Sequence, residues 1–234
     1  MIVVDVETTG TDPKIHSIVS IGTVDIIRFL DGNRRNSAFF YGECTIWKGA
    51  KIEPKALEIN GFTETEAKYT NPEEHRELIN RWLGWIRDSR NRTICGENPA
   101  FDMNFLKAGM LEEDYPEDFV QDLMGNRSYD LHTLSYDSHQ KNMIEIPMKN
   151  KRSALSLDET LKYVGLTPES KPHNGLIGAI LEAEAYWRMT YFESLFGRLH
   201  IGDILPGAFP HSRAVDIPDF SLSPLPDYLR KKHR

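Results

Sequence analysis

Residues 2–10 read Ile-Val-Val-Asp-Val-Glu-Thr-Thr-Gly. β-Branched hydrophobes lead into two carboxylates, and alternation along a strand puts residues two apart on one face. Asp5 and Glu7 are therefore expected to point the same way at the end of an otherwise buried strand. Side by side, two carboxylates repel, and each makes the other harder to ionise. A divalent cation, whose preferred ligands are oxygens, relieves such a pair. Two further residues suit the same chemistry. Asp102 opens a helix just past a short strand, in Gly96-Glu97-Asn98-Pro99-Ala100-Phe101-Asp102, and His173 opens the last long helix. Carboxylates at strand ends and helix starts can converge above the edge of one sheet, where α/β proteins place their sites. Two or three acids plus one His suit metal-assisted hydrolysis of a phosphodiester. One cation activates water, and a second, about 3.5–4 Å away, stabilises the leaving oxygen. The His, with an unperturbed pKa near 6.5, can take the water's proton around neutral pH. Taken singly each group is a weak signal, because a lone Asp at a helix start is usually a cap.

The elements that must position these groups read as mixed α/β. Ile2 to Val6 is the first strand, His16 to Phe29 a long second strand, and Ser37 to Ile46 a third after the turn signal Asp31-Gly32-Asn33. Pro54 to Asn60 is a short helix ended by Gly61. Asn71-Pro72-Glu73-Glu74 reads as a helix cap with proline in the first helical position. Leu78, Ile79, Trp82, Leu83 and Ile86 then recur at helical spacing as a core stripe. Arg92 to Cys95 is a short buried strand, helix follows Asp102 to about Leu111, and Ser128 to Leu131 is another strand. Residues 136 to 153 are polar and read mostly as a surface loop. Ser156 to Val164 is a helix closed by Gly165, with Asp158 and Glu159 in its first turn. The helix opened by His173 runs to about Leu195. From Gly202 the chain is proline-rich and ends in Arg230-Lys231-Lys232-His233-Arg234. The expected organisation is one domain over residues 1–200 and an extension over 201–234 that wraps the domain or stays loose.

Length and composition bound the rest. The chain has 234 residues, enough for a sizeable core, with 40 % hydrophobic and 27 % charged residues. No apolar run approaches the roughly 18 residues of a membrane span, so no membrane role is expected. The first residues enter a strand directly, with no secretory pattern. Cys44 and Cys95 form no metal spacing or disulfide framework, and a cytoplasmic setting is expected. A net charge of −7 argues against gripping nucleic acid by bulk electrostatics, yet it suits an enzyme that handles one strand end through clustered acids.

Taken together, Asp5-Val6-Glu7-Thr8-Thr9-Gly10, then Gly96 to Asp102, then His173 resemble the three motifs of the DEDDh (DnaQ-like) exonucleases, the family of the proofreading subunit of bacterial polymerase III. The resemblance covers about residues 1 to 195. It implies an RNase H-like α/β fold with a five-stranded mixed sheet flanked by helices. It also implies Mg²⁺ or Mn²⁺, two per site, and 3′–5′ release of 5′-nucleotides from a single-stranded DNA or RNA end. A polymerase or repair complex is the partner class it suggests. On this resemblance Asp5 bridges both metals, Glu7 holds the first, Asp102 completes the site and His173 is the base. Thr8, Thr9 and Gly10 lie against the terminal nucleotide, Ile59 and Phe62 pack by its base or sugar, and Asn98 and Phe101 contribute to substrate binding.

One position departs. The family's third motif runs His, four residues, Asp, and here Gly178 stands where that fourth carboxylate belongs. Gly175 also stands where a small residue such as Ala is usual. Each glycine costs roughly 1 kcal/mol against Ala, so a looser helix start is expected. Gly178 has three readings: a pseudo-enzyme or weakened enzyme, an altered copy of an active one, or a site completed by another acid. Glu182 is the candidate for the last, one turn on and about 40° round the helix, roughly 6 Å further along. Its side chain leans back toward the helix N-terminus. The alternative to an exonuclease is a non-catalytic nucleic-acid-binding or assembly module on the same fold.

Overall fold

A computed structural model describes residues 1–32, 37–197 and 218–230. In chain order its elements are β1 (Ile2–Thr8), β2 (Ile18–Asp25), α1 (Ile26–Leu30), β3 (Phe39–Glu43), α2 (Pro54–Asn60), α3 (His75–Arg87), β4 (Ile94–Gly96) and α4 (Pro99–Glu112). They continue with α5 (Glu117–Met124), β5 (Ser128–Asp130), α6 (Leu131–Lys141), the hairpin β6 (Met148–Lys149) and β7 (Arg152–Ser153), α7 (Leu157–Tyr163) and α8 (Gly175–Tyr191). The main sheet has five strands in the order β3-β2-β1-β4-β5. β1, β2 and β3 pair antiparallel, while β4 and β5 run parallel to β1, which gives the expected mixed sheet.

β1 lies at the centre and its alternation sorts the two layers. Ile2, Val4 and Val6 pack on one face with Leu78, Ile79 and Trp82 of α3 and Phe105 and Leu106 of α4. Val3 faces the other way, into a core with Leu176, Ile177 and Ile180 of α8. Asp5 and Glu7 share the parity of Val3, so both carboxylates lie on the α8 side. α8 comes unusually close to the sheet there. A Cβ on Gly22 would lie 2.0 Å from the carbonyl carbon of Gly175, and one on Gly175 would lie 2.6 Å from the Asp5 carbonyl oxygen. Both glycines are therefore packing residues. The expectation of a loose helix start gives way to a buried, closely seated one.

Several boundaries differ from the sequence reading, each for a local reason. The second strand stops at Asp25, whose side chain accepts from the N–H groups of Ile27 and Arg28 and caps α1. The turn signal reaches only Asp31 and Gly32, since Asn33 lies outside the described residues. Asn71 does not cap α3. Its side chain donates to the Cys44 carbonyl, and a reciprocal capping box between Glu74 and Glu77 starts the helix instead. Of residues 136–153, read as loop, 136–141 belong to helix α6, which Asp130 caps and whose buried side is polar, and 148–153 form the β6–β7 hairpin. Ser135 accepts from the Thr160 hydroxyl, and the Ser138 carbonyl accepts from that of Tyr163. α8 begins at Gly175 with Asn174 as its cap, two residues beyond His173.

Residues 218–230 of the C-terminal extension pack back onto the domain, where Phe220 and Leu229 are buried in the α8-side core. Arg188 of α8 is fully buried there. It pairs with Glu184 and donates to the carbonyls of Val164, Phe220 and Ser223. Lys231 to Arg234 lie outside the described residues. No helix among the described residues is long and apolar enough to cross a membrane.

Candidate active site

The site forms where β1 and β4 part. Their parallel pairing covers only Ile2 with Ile94 and Val3 with Cys95. Beyond it the N–H of Val6 needs an acceptor, since a buried donor left unpaired is costly. Asp102 supplies it, with Oδ1 accepting from Val6 N at 3.0 Å. Pro99 starts α4 immediately after the strand, which is what delivers the Asp102 carboxylate into the gap. Asp102 is thereby fixed against Asp5. Burial, then the Asp5 charge, push its pKa well above the usual carboxylate range. Burial raises Asp5 itself to about 7.

A third carboxylate enters from α8. Glu182 is buried, and burial followed by the charges of Asp5 and Asp102 hold its pKa well above the usual value. Its Oε1 accepts from the Glu97 N–H at 3.1 Å. Gly178 leaves the room that the Asp5 carboxylate uses: a Cβ at 178 would lie 1.8 Å from Asp5 Oδ2. Two acids that the motifs did not single out join the cluster. Glu97, raised to about 7 by burial and then by Asp130, lies beside Glu182. Glu169 is raised to about 8 by burial and then by Asp5. Glu97 lies within the second motif, directly after Gly96, and Glu169 stands four residues before His173. That proximity is the only signal the sequence carried.

His173 completes the rim. Its N–H donates to the Ile59 carbonyl at 3.0 Å, joining the third motif to the last turn of α2. Its Nδ1 lies 3.7 Å from Glu169 Oε2, and the side chain is 37 % exposed. Burial, then Lys171, lower its pKa, which keeps the imidazole neutral and able to accept a proton at neutral pH. Glu7 is buried on the same face, where with burial and Glu43 it raises the Tyr41 phenol.

Not every expected substrate contact reaches the rim. Thr9 is fully buried, with its N–H donated to the Ser17 carbonyl and its own carbonyl accepting from Glu53 N, so its backbone holds the loop rather than a nucleotide. The Thr8 carbonyl accepts from the Asn60 side chain, and Gly10 lies under the His16 ring. Phe62 packs with Val19, Leu57 and Ala67 in a small core of its own and props the segment from within. Ile59 is half-buried beside His173, Phe101 is half-buried against Phe105, and Asn98 is exposed with φ 53°.

Among the described residues, no group of three or more His, Cys, Asp or Glu is arranged as a ready metal cage. The donor chemistry nonetheless fits a divalent cation. Carboxylate oxygens are the ligands that hard cations prefer, and the buried Oε2 atoms of Glu97 and Glu182 have no hydrogen-bond partner. A bound cation would favour the ionised form of acids that burial and mutual repulsion otherwise hold protonated.

Comparison with known proteins identifies the family. The RNase_T exonuclease family model matches residues 2–185. The chain belongs to this exonuclease family. Sequence relatives include the PolC-type DNA polymerase III of Thermotoga maritima, 27 % identical over 81 % of this chain and 12 % of the polymerase. Ribonuclease T of Marinobacter nauticus is 29 % identical over 48 % of this chain and 53 % of its own. In structure, the exonuclease domain resembles E. coli Exonuclease I in complex with a dT13 oligonucleotide. That match has a TM-score of 0.60 and 16 % identity, over 80 % of this chain and 40 % of that one. The zinc-bound E. coli ExoI–ssDNA complex matches at a TM-score of 0.59 and 16 % identity, over 83 % of this chain and 41 % of that one. The shared fold is RNase H-like. The exonuclease domain spans only part of the length of each of these relatives.

Proposed function

We propose that this chain is a 3′–5′ exonuclease that uses Mg²⁺ or Mn²⁺ to release 5′-nucleotides from single-stranded DNA or RNA ends. The observation that carries the reading is the convergence of Asp5 and Asp102, from β1 and α4, with the half-buried His173 joined to them through Glu169. Asp5, Glu7 and Asp102 would hold the cation. When bound, it supplies a lowered pKa for a ligated water and positive charge against the phosphate. His173 takes a proton on its ring nitrogen, and Glu169 Oε2 lies 3.7 Å from its Nδ1. The hydrogen bond from His173 N–H to the Ile59 carbonyl supports Ile59 as an apolar contact for a terminal base. Mg²⁺-dependent shortening of a 5′-labelled single strand in one-nucleotide steps, with 5′-monophosphates as product, is the expected result. Products that arise from the 5′ end, or none with any strand, overturn the reading.

Gly178 favours a second reading, a binding or assembly module without turnover. It requires tight binding of a single strand and no product from either this chain or its Gly178→Asp variant. The likeness to PolC-type polymerase supports a polymerase or repair complex as partner, and two free, buried cysteines suit the cytoplasm.

A further inference from the structure

We propose that Glu182 supplies the fourth carboxylate of the cation site, one helical turn beyond the position where Gly178 stands. The inference rests on the exonuclease reading and concerns this chain's own residues. Two facts about position 178 come first. No side chain can stand there while Asp5 keeps its rotamer, since a Cβ would lie 1.8 Å from Oδ2 and 2.9 Å from Cγ. The glycine thus opens the path between α8 and the Asp5 carboxylate.

Glu182 enters from behind that opening. One turn of helix moves the backbone about 6 Å along and about 40° round, and helical side chains lean back toward the N-terminus. The longer Glu chain therefore returns toward the acids. Its carboxyl lies over Gly96, where a Cβ would come within 3.1 Å of Oε2, so the absence of a side chain at 96 makes its seat. Glu182 is 4 % exposed, and its Oε2 has no hydrogen-bond partner.

The same helix shows how a purely structural buried acid is treated. Glu184 is fully buried, and its oxygens take the Arg188 guanidinium at 2.6 Å and the N–H groups of Leu195 and Phe196. Both of its oxygens are bonded and its charge is paired. Glu182, two residues earlier, has one backbone N–H and faces the carboxylates of Asp5 and Asp102 instead. A site that buries a third acid against two others, with one oxygen unbonded, is arranged for a cation and not for packing.

Mn²⁺ binding to the full chain, read by the loss of the free-ion electron paramagnetic resonance signal, tests this without reference to activity. Glu182→Gln keeps the shape and is expected to weaken Mn²⁺ by about tenfold or more, since even the outer-shell partners of a bound metal contribute about 10–100-fold. Glu182→Asp, which withdraws the carboxylate, should fall in between. Gly178→Asp added to Glu182→Gln should return most of the affinity, since only the flexible end of Asp5 has to move. A folded Glu182→Gln protein with wild-type affinity overturns the inference and leaves the exonuclease reading standing. If that variant does not fold, an unchanged affinity in Glu182→Asp overturns it equally. A wild-type chain that binds no Mn²⁺ overturns both.

Discussion

Gly22→Ala isolates the contact that seats α8 over the acids. The added methyl would start 2.0 Å from the Gly175 carbonyl carbon and 2.1 Å from Leu176 N, where ordinary contact begins near 3.4 Å. Both partners are backbone, so the helix and the sheet must part by about 1.4 Å. Overpacking costs typically 1–3 kcal/mol, and a clash with backbone on both sides belongs at the upper end, about 3 kcal/mol. At 2–4 °C per kcal/mol, the melting temperature should fall by roughly 6–12 °C. His173 lies two residues before α8 and Glu182 about two turns into it, and a misplacement of about 1 Å can cost 10²-fold in rate. Gly84→Ala is the control, since nothing lies within 4 Å of its Cβ in α3. It should gain up to about 1 kcal/mol from helix propensity alone. Circular dichroism through thermal and urea unfolding reads both. A Gly22→Ala protein as stable as wild type would refute the close seating of α8 and, with it, the placement of Glu182.

Three further outcomes follow from the same packing. Asp5, Glu97 and Glu169 hold their protons more tightly when folded, at about 7, 7 and 8, than at the unfolded values of 3.8 and 4.5. Their stabilisation is complete below the unfolded values and is lost as pH rises through the folded ones. The melting temperature without cation should therefore fall between about pH 4 and 8, and Mg²⁺ should raise it most at the alkaline end, as calorimetry would show. Asp102→Asn keeps an acceptor for Val6 N and should stay folded while losing about 10²-fold or more in nucleotide release. Asp102→Ala, which leaves that N–H unpaired, should lose about 1–3 kcal/mol in addition. Removal of residues 218–234 strips Arg188 of two carbonyl acceptors and the core of Phe220 and Leu229. It should cost about 3–5 kcal/mol, measured by urea titration.

What the sequence made legible was what local chemistry dictates. β1 with its two acids, α2 closed by Gly61 at φ 70°, and α7 capped by Ser156 all follow from patterns a few residues long. The polar stripe of α6 did not show, because Ser135, Ser138 and His139 are buried through hydrogen bonds rather than through apolar periodicity. The long second strand hid the cap at Asp25, since Ile26 and Ile27 suit either conformation. Asp5, Asp102 and His173 were singled out through motif order, and the fold sets Asp102 against Asp5. Glu97 and Glu169 were not, because their closeness to the cluster exists only after β1, β4 and α8 meet. Thr9 and Phe62 show the converse: one stands within the first motif and the other between the first two, yet the fold turns both inward.

The position of a bound cation decides which carboxylates form the site. A crystal of the full chain soaked in Mn²⁺ with a nucleoside 5′-monophosphate should show an anomalous peak between β1 and α8. Carboxylate oxygens of Asp5 and Glu182 should lie about 2.0–2.1 Å from it, the range expected for a Mg²⁺-like ion. No peak at the acid cluster, or a peak that Asp5 does not ligate, would contradict the account.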